Sequence, residues 1–116
     1  DSNVRSRLTR VLAARGYGVW DTGDPGEAIR QYSDASPSAR PAVILCDVLM
    51  PEMTGVRMMD QIVVINPAVK VIYMSGNVQS DISWTGMTGS DVAFLEKPIV
   101  AEKLLAAIDK VIEHRG

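Results

Sequence analysis

Val4, Leu8, Val11 and Leu12 fall at i, i+4, i+7 and i+8, which predicts an amphipathic helix near the start of the chain. Ser2 or Asn3 is placed to cap it, and Gly16 to end it. Residues 17–20, Tyr-Gly-Val-Trp, read as a short strand closed by Asp21-Thr22-Gly23-Asp24. Pro25 suits the first turn of a second helix that runs to about Ser33, with Ala28, Ile29 and Tyr32 turned inward. A loop rich in Ser and Pro occupies residues 36–41.

The pattern then changes. Residues 42–46, Ala-Val-Ile-Leu-Cys, form a continuous apolar run ended by one carboxylate, Asp47. Such a run reads as a strand buried on both faces of a parallel sheet. Met50-Pro51 opens the next loop, and Thr54 is placed to cap a third helix that reaches Ile65 and stops at Asn66-Pro67. Residues 69–74 form a second buried strand, with Ser75-Gly76-Asn77 at its end. Residues 78–87 carry a weaker helical pattern, loosened at Gly86 and Gly89, and residues 92–95 form a last strand. Val100, Leu104, Leu105, Ile108, Val111 and Ile112 make a clear helical stripe. Strands alternating with helices predict a doubly wound parallel α/β sheet covered on both faces.

Composition narrows the function classes. The 116 residues predict a single domain spanning 1–116. A hydrophobic fraction of 47%, with 22% charged residues, fits a folded globular chain. The net charge of −2 offers no electrostatic case for nucleic acid or for a membrane surface. Arginines 5, 7, 10 and 15 interrupt any apolar leader, no segment has the length of a membrane span, and the arginines read as a solvated helix surface. The single cysteine, Cys46, excludes an internal disulfide framework, fits a reducing cytoplasm and reads as buried packing. The one histidine, His114, near the C-terminal end, reads as a helix-end charge rather than a catalytic base. No Gly-rich phosphate loop is present, which disfavours a nucleotide or flavin binder.

Candidate chemistry collects at the strand ends. Asp47, Ser75 and Lys97 each come after an apolar strand, about one strand–helix repeat apart, so all three should meet beyond the carboxyl edge of the sheet. The segment Asp47-Val-Leu-Met-Pro-Glu-Met-Thr-Gly55 resembles the phosphoacceptor segment of two-component receiver domains, D-x-x-M-P-x-M-x-G. The resemblance covers nearly the whole chain. It implies a flavodoxin-like fold of strand order 2-1-3-4-5 and a phosphoprotein signalling domain rather than an enzyme. Asp47 would take a phosphoryl group from a phosphohistidine of a histidine kinase or histidine phosphotransfer domain, Lys97 would neutralise charge, and Ser75 would bind a phosphoryl oxygen.

By the same resemblance, Ser75 and Phe94 are the switch pair, the Lys97-Pro98 bond is a candidate cis peptide, and Pro51 and Gly55 are structural. Mg2+ would be the cofactor, held by Asp47, the Leu49 backbone carbonyl and Asp1. The runs at residues 71–76 and 94–98 are most similar to receivers at the C-terminal end of hybrid histidine kinases. A homodimer through the last helices is a further implication.

One departure stands out. Receivers begin with a central strand that ends in two adjacent acidic residues, and residues 1–5 resemble the segment immediately after that pair. Strand 1 and its acidic pair are therefore expected to be missing from an N-terminally truncated chain, with magnesium binding impaired. Each buried backbone group left without a partner costs about 1–3 kcal/mol, against a typical total stability of about 5–15 kcal/mol. The missing pair also supports an alternative: a degenerate, non-phosphorylated interaction module on the same fold.

Overall fold

The computed structural model describes residues 2–22, 24–48, 55–76 and 92–113. Three parallel strands form its centre: β1 (Val43–Asp47), β2 (Lys70–Ser75) and β3 (Val92–Glu96), in the order β1-β2-β3. Their register brings Cys46 beside Tyr73 and Tyr73 beside Phe94, with Asp47 opposite Met74 and Ser75 opposite Glu96. Four helices are described: α1 (Ser2–Ala14), α2 (Pro25–Asp34), α3 (Gly55–Ile65) and α4 (Ala101–Glu113). A short 3-10 turn, Pro37–Ala39, lies between α2 and β1.

Strand parity sorts the core into two layers, because successive side chains leave a strand on opposite faces. Ile44, Cys46, Val48, Val71, Tyr73, Val92 and Phe94 pack with Tyr32 of α2 and Met58, Met59 and Ile62 of α3. Val43, Leu45, Ile72, Met74, Ala93 and Leu95 pack with Leu8 of α1 and Leu104, Ile108 and Val111 of α4. Hence β2 reads as nearly unbroken apolar sequence: both of its faces are covered.

The helix ends obey local chemistry. Asp24 caps α2 by accepting from the Gly26 N–H at 2.9 Å, and Pro25 occupies the first turn. Gly16 ends α1 at φ 89°, where the Gly16 N–H donates to Ala13 and the Tyr17 N–H to Leu12. This is a Schellman closure, and its left-handed residue favours glycine. The Asn66 Nδ2 donates to the Tyr32 hydroxyl at 2.9 Å, tying the end of α3 to α2.

Two expectations are corrected. Residues 17–20 are irregular and form no strand among the described residues. A strand exists only through a neighbour's ladder, and no described strand lies against that stretch. Val100 is not part of the buried stripe of α4; it is 48% exposed. It precedes the helix, and its carbonyl accepts the N–H of Leu104, so it stands at the cap position rather than on the inward face. The helix expected at residues 78–87 and the Thr54 cap lie outside the described residues. No described helix is long and apolar enough to cross a membrane.

Candidate functional site

Asp47 is the last residue of β1. Beyond it the backbone turns sharply: the Val48 N–H donates to Met74 at 3.0 Å, and the Val48 carbonyl accepts the N–H of Gly55 at 2.8 Å. The start of α3 is thereby drawn against the back of the Asp47 peptide. A Cβ on Gly55 would lie 1.9 Å from the Asp47 carbonyl oxygen, so only glycine fits this approach.

Lys97 lies just past β3 and reaches the same edge. Its N–H donates to the Ser75 carbonyl at 2.8 Å, which extends the β2–β3 ladder by one step. The Lys97-Pro98 peptide is cis. The Lys97 Nζ forms an ion pair with Asp47 Oδ1. β1 and β3 are not neighbours, and two strand spacings separate their backbones by about 10 Å. A lysine stem of about 6 Å carries the charge across the end of β2, which a shorter cation could not do. The pair is partly wet, with side-chain exposures of 48% for Lys97 and 27% for Asp47. Solvent screening limits such a pair to about 0–1 kcal/mol of fold stability. Its consequence is electrostatic: a carboxylate at the strand ends has a positive charge on a flexible stem beside it.

Ser75 is buried at 2% exposure, one residue past Met74, the partner of Asp47. Its parity is that of Val71 and Tyr73, facing α2 and α3, whereas Asp47 and Lys97 continue the parity that faces α1 and α4. Phe94 lies one turn of the pleat deeper. Its ring stacks on Tyr73 with centroids 5.6 Å apart, and it packs on the α2–α3 cluster. Cys46 is fully within that cluster. Burial pushes its thiol well above the ordinary range, and the neighbouring Asp47 charge pushes it further. Tyr73 is raised as well, first by burial and then by Cys46 and Asp60.

The structure thus brings Asp47 and Lys97 together and joins Ser75 to Lys97 through the backbone. It places Phe94 against Tyr73, a partner that the sequence pattern does not single out. Register was the available signal, since both residues sit at the third or fourth step of adjacent strands. Asp1, Leu49 and Pro51 lie outside the described residues. No group of three or more acidic, histidine or cysteine ligands exists among the described residues. One carboxylate already paired with lysine does not by itself make a magnesium site, so the described residues do not fit that ion unaided.

The arginines near the start of the chain are mostly solvent-facing, as expected, with Arg7, Arg10 and Arg15 exposed, yet two of the four also make tertiary contacts. Arg5 pairs with Asp21 at 2.6 Å, and the Arg7 Nη2 donates to the Ile99 carbonyl at 3.0 Å. The Arg7 contact joins residues 92 positions apart, and no local pattern could have signalled it.

The sequence profile of the family described as "Response regulator receiver domain" matches residues 1–109. The chemotaxis protein CheY of Listeria monocytogenes is 30% identical over 108 residues, covering 92% of this chain and 87% of CheY. The DNA-binding transcriptional regulator NtrC of Klebsiella pneumoniae is 28% identical over 114 residues, 98% of this chain. The chain spans only 24% of that regulator's length. In fold, a response regulator receiver protein from Sinorhizobium medicae superposes with a TM-score of 0.85 at 19% identity, covering 100% of this chain and 90% of the other. A flavodoxin-like α/β sheet with a carboxylate and a lysine at its carboxyl edge, and a family match over almost all of its length, mean that this chain belongs to the response regulator receiver domain family.

Proposed function

We propose that Asp47 accepts a phosphoryl group from a phosphohistidine of a two-component phosphorelay. The observation that carries this reading is the Lys97 ammonium on the Asp47 carboxylate at the edge where the parallel strands end. A carboxylate oxygen attacks phosphorus and forms a P–O bond as the P–N bond breaks. The bond pair leaves with the imidazole, which takes up a proton. Negative charge spreads over the transferring oxygens, and Lys97, already in contact with the attacking carboxylate, neutralises part of it. Ser75 is the candidate donor to a second oxygen, and its repacking with Phe94 would alter the outer surface, a two-state response to a local charge.

Receiver domains work with histidine kinases or phosphotransfer proteins, and one of these is the proposed donor here. A hybrid-kinase parent rests on the runs at residues 71–76 and 94–98 alone; the relatives named above are a CheY and a transcriptional regulator. A second reading, the non-phosphorylated interaction module, is favoured by one observation: the described residues hold no multi-carboxylate cluster.

Intact mass after incubation with phosphoramidate, whose P–N bond mimics phosphohistidine, separates the two. One added phosphoryl group that Asp47→Asn abolishes supports the first reading. An unmodified wild-type chain, with magnesium present and absent, sinks it and leaves the interaction module. A gain that is independent of magnesium would show that Lys97 supplies most of the neutralisation; a gain only at high magnesium would show a weakened metal site.

A further inference from the structure

Residues 97–100 connect β3 to α4, and this connection carries the lysine of the site. Its backbone is held at two points. At one end the Lys97 N–H is fixed to the Ser75 carbonyl. At the other, Ile99 buries its side chain among Leu8 of α1 and Leu104 and Ile108 of α4, and its carbonyl accepts from Arg7. The Ile99 carbonyl precedes the first helical bond of α4, which runs from Leu104 to Val100, so the helix ladder has no donor for it. Arg7 supplies one, with a charged fork that bonds more strongly than a neutral group.

The Lys97 side chain itself is about half exposed, so packing does not set its direction. Where the ammonium lies depends on where the connection holds its Cα. We infer that Arg7 is a positioning residue for the phosphoryl-transfer site: through the Ile99 carbonyl it fixes the connection that presents Lys97 to Asp47. The inference rests on the proposed function for its rate consequence, but its geometric content is independent of that reading. The chain of contacts is α1 to Ile99, Ile99 to Lys97, and Lys97 to Asp47.

The test uses the full chain with Arg7→Gln, Arg7→Lys and Lys97→Ala, and the Arg7→Gln/Lys97→Ala double variant. The first readout is the initial rate of phosphoryl gain from phosphoramidate. Losing a charged hydrogen bond, only part of which is transmitted to the lysine, slows Arg7→Gln about 3–10-fold, and Arg7→Lys recovers part of the rate. In the Lys97→Ala background Arg7→Gln has no further effect, since both act through one ammonium. The second readout is acetic-anhydride labelling of Lys97 relative to Lys103 and Lys110 within the same molecule, resolved by peptide mass spectrometry. Arg7→Gln raises relative labelling of Lys97 severalfold, while Arg7→Lys raises it less.

Additive rate effects of Arg7→Gln and Lys97→Ala, or unchanged Lys97 labelling in a folded Arg7→Gln protein, overturn the inference. Should Arg7→Gln fail to fold, the same comparison is made on Arg7→Lys. If the wild type gains no phosphoryl group, the proposed function falls, and the labelling ratio alone decides whether Arg7 positions Lys97.

Discussion

Gly55→Ala tests how tightly the Asp47 turn is built. A Cβ on residue 55 would stand 1.9 Å from the Asp47 carbonyl oxygen, 3.0 Å from its carbonyl carbon and 3.3 Å from the Cys46 Sγ. An ordinary carbon–oxygen contact is about 3.3 Å, so the start of α3 and the end of β1 must separate by about 1.4 Å. Neither side yields cheaply. The first is held by the Gly55 N–H bond to Val48, and the second by its ladder to β2. Replacing glycine by alanine at a helix position would on its own gain up to about 1 kcal/mol. Overpacking against backbone outweighs this, and we expect a net loss of about 1–3 kcal/mol. For a chain of this size that lowers the melting temperature by roughly 4–12 °C.

The displacement falls on the residue that carries the chemistry. A shift of about 1 Å at a reacting group can cost on the order of 100-fold in rate, so phosphoryl gain at Asp47 should slow even at temperatures where Gly55→Ala is fully folded. Calorimetry and the phosphoramidate assay together check both parts. Gly18→Ala is the control, because a Cβ there meets nothing within 4 Å, and it should leave both quantities near wild type. A Gly55→Ala protein that melts at or above the wild-type temperature would refute the reasoning. It would mean that the turn relaxes freely and that the helix-propensity gain wins.

Two further outcomes come from burial. Ile62 is 1% exposed at the centre of the α2–α3 layer, and Ile62→Ala should cost about 2–5 kcal/mol, seen as a lower urea midpoint with an unchanged slope. The raised thiol of Cys46 and hydroxyl of Tyr73 make the fold sensitive to alkali. Their ordinary values are 9.0 and 10.0, and in the fold both lie higher. The unfolded chain therefore releases these protons first, so stability is complete below pH 9.0 and is lost as pH climbs through 10.0 and beyond. Urea midpoints measured from neutral to alkaline pH should fall across that window, and a flat profile would show that neither group is shielded.

Much of the fold was legible in the chain because its signals are local. The apolar runs that became β1, β2 and β3 and the stripe that became α4 differ in period, and period survives without knowledge of neighbours. The strands extend one residue past their apolar runs. Asp47 and Ser75 look like loop residues by type, yet each pairs across the ladder, with Met74 and Glu96, and the register decides. Residues 17–20 mislead for the converse reason: β-forming types do not make a strand without an adjacent edge. Val100 fits the helical spacing, but its place before the first turn exposes it. Of the site, Asp47, Ser75 and Lys97 were legible from their place after apolar strands. The Arg7–Ile99 contact was not, because it depends on how α1 settles over the α4 side of the sheet.

Parity gives the site its division of labour. Asp47 and Lys97 continue the face shared with α1 and α4, and Arg7 reaches the lysine's connection from that same side. Ser75, Tyr73 and Phe94 belong to the opposite face, against α2 and α3. A backbone bond from Lys97 to Ser75 joins the two sets. On the proposed reading, charge neutralisation at Asp47 is organised from one face, and any rearrangement of the serine and the aromatic stack occurs on the other. A substitution confined to the first set should then alter the rate of phosphoryl gain while leaving the Tyr73–Phe94 stack unchanged. A substitution such as Phe94→Leu should do the reverse: it changes the near-ultraviolet signal of the stacked rings while Asp47 is phosphorylated at close to the wild-type rate. Loss of phosphoryl gain in Phe94→Leu, with the protein folded, would show that the two faces are not separable and that the parity argument is wrong.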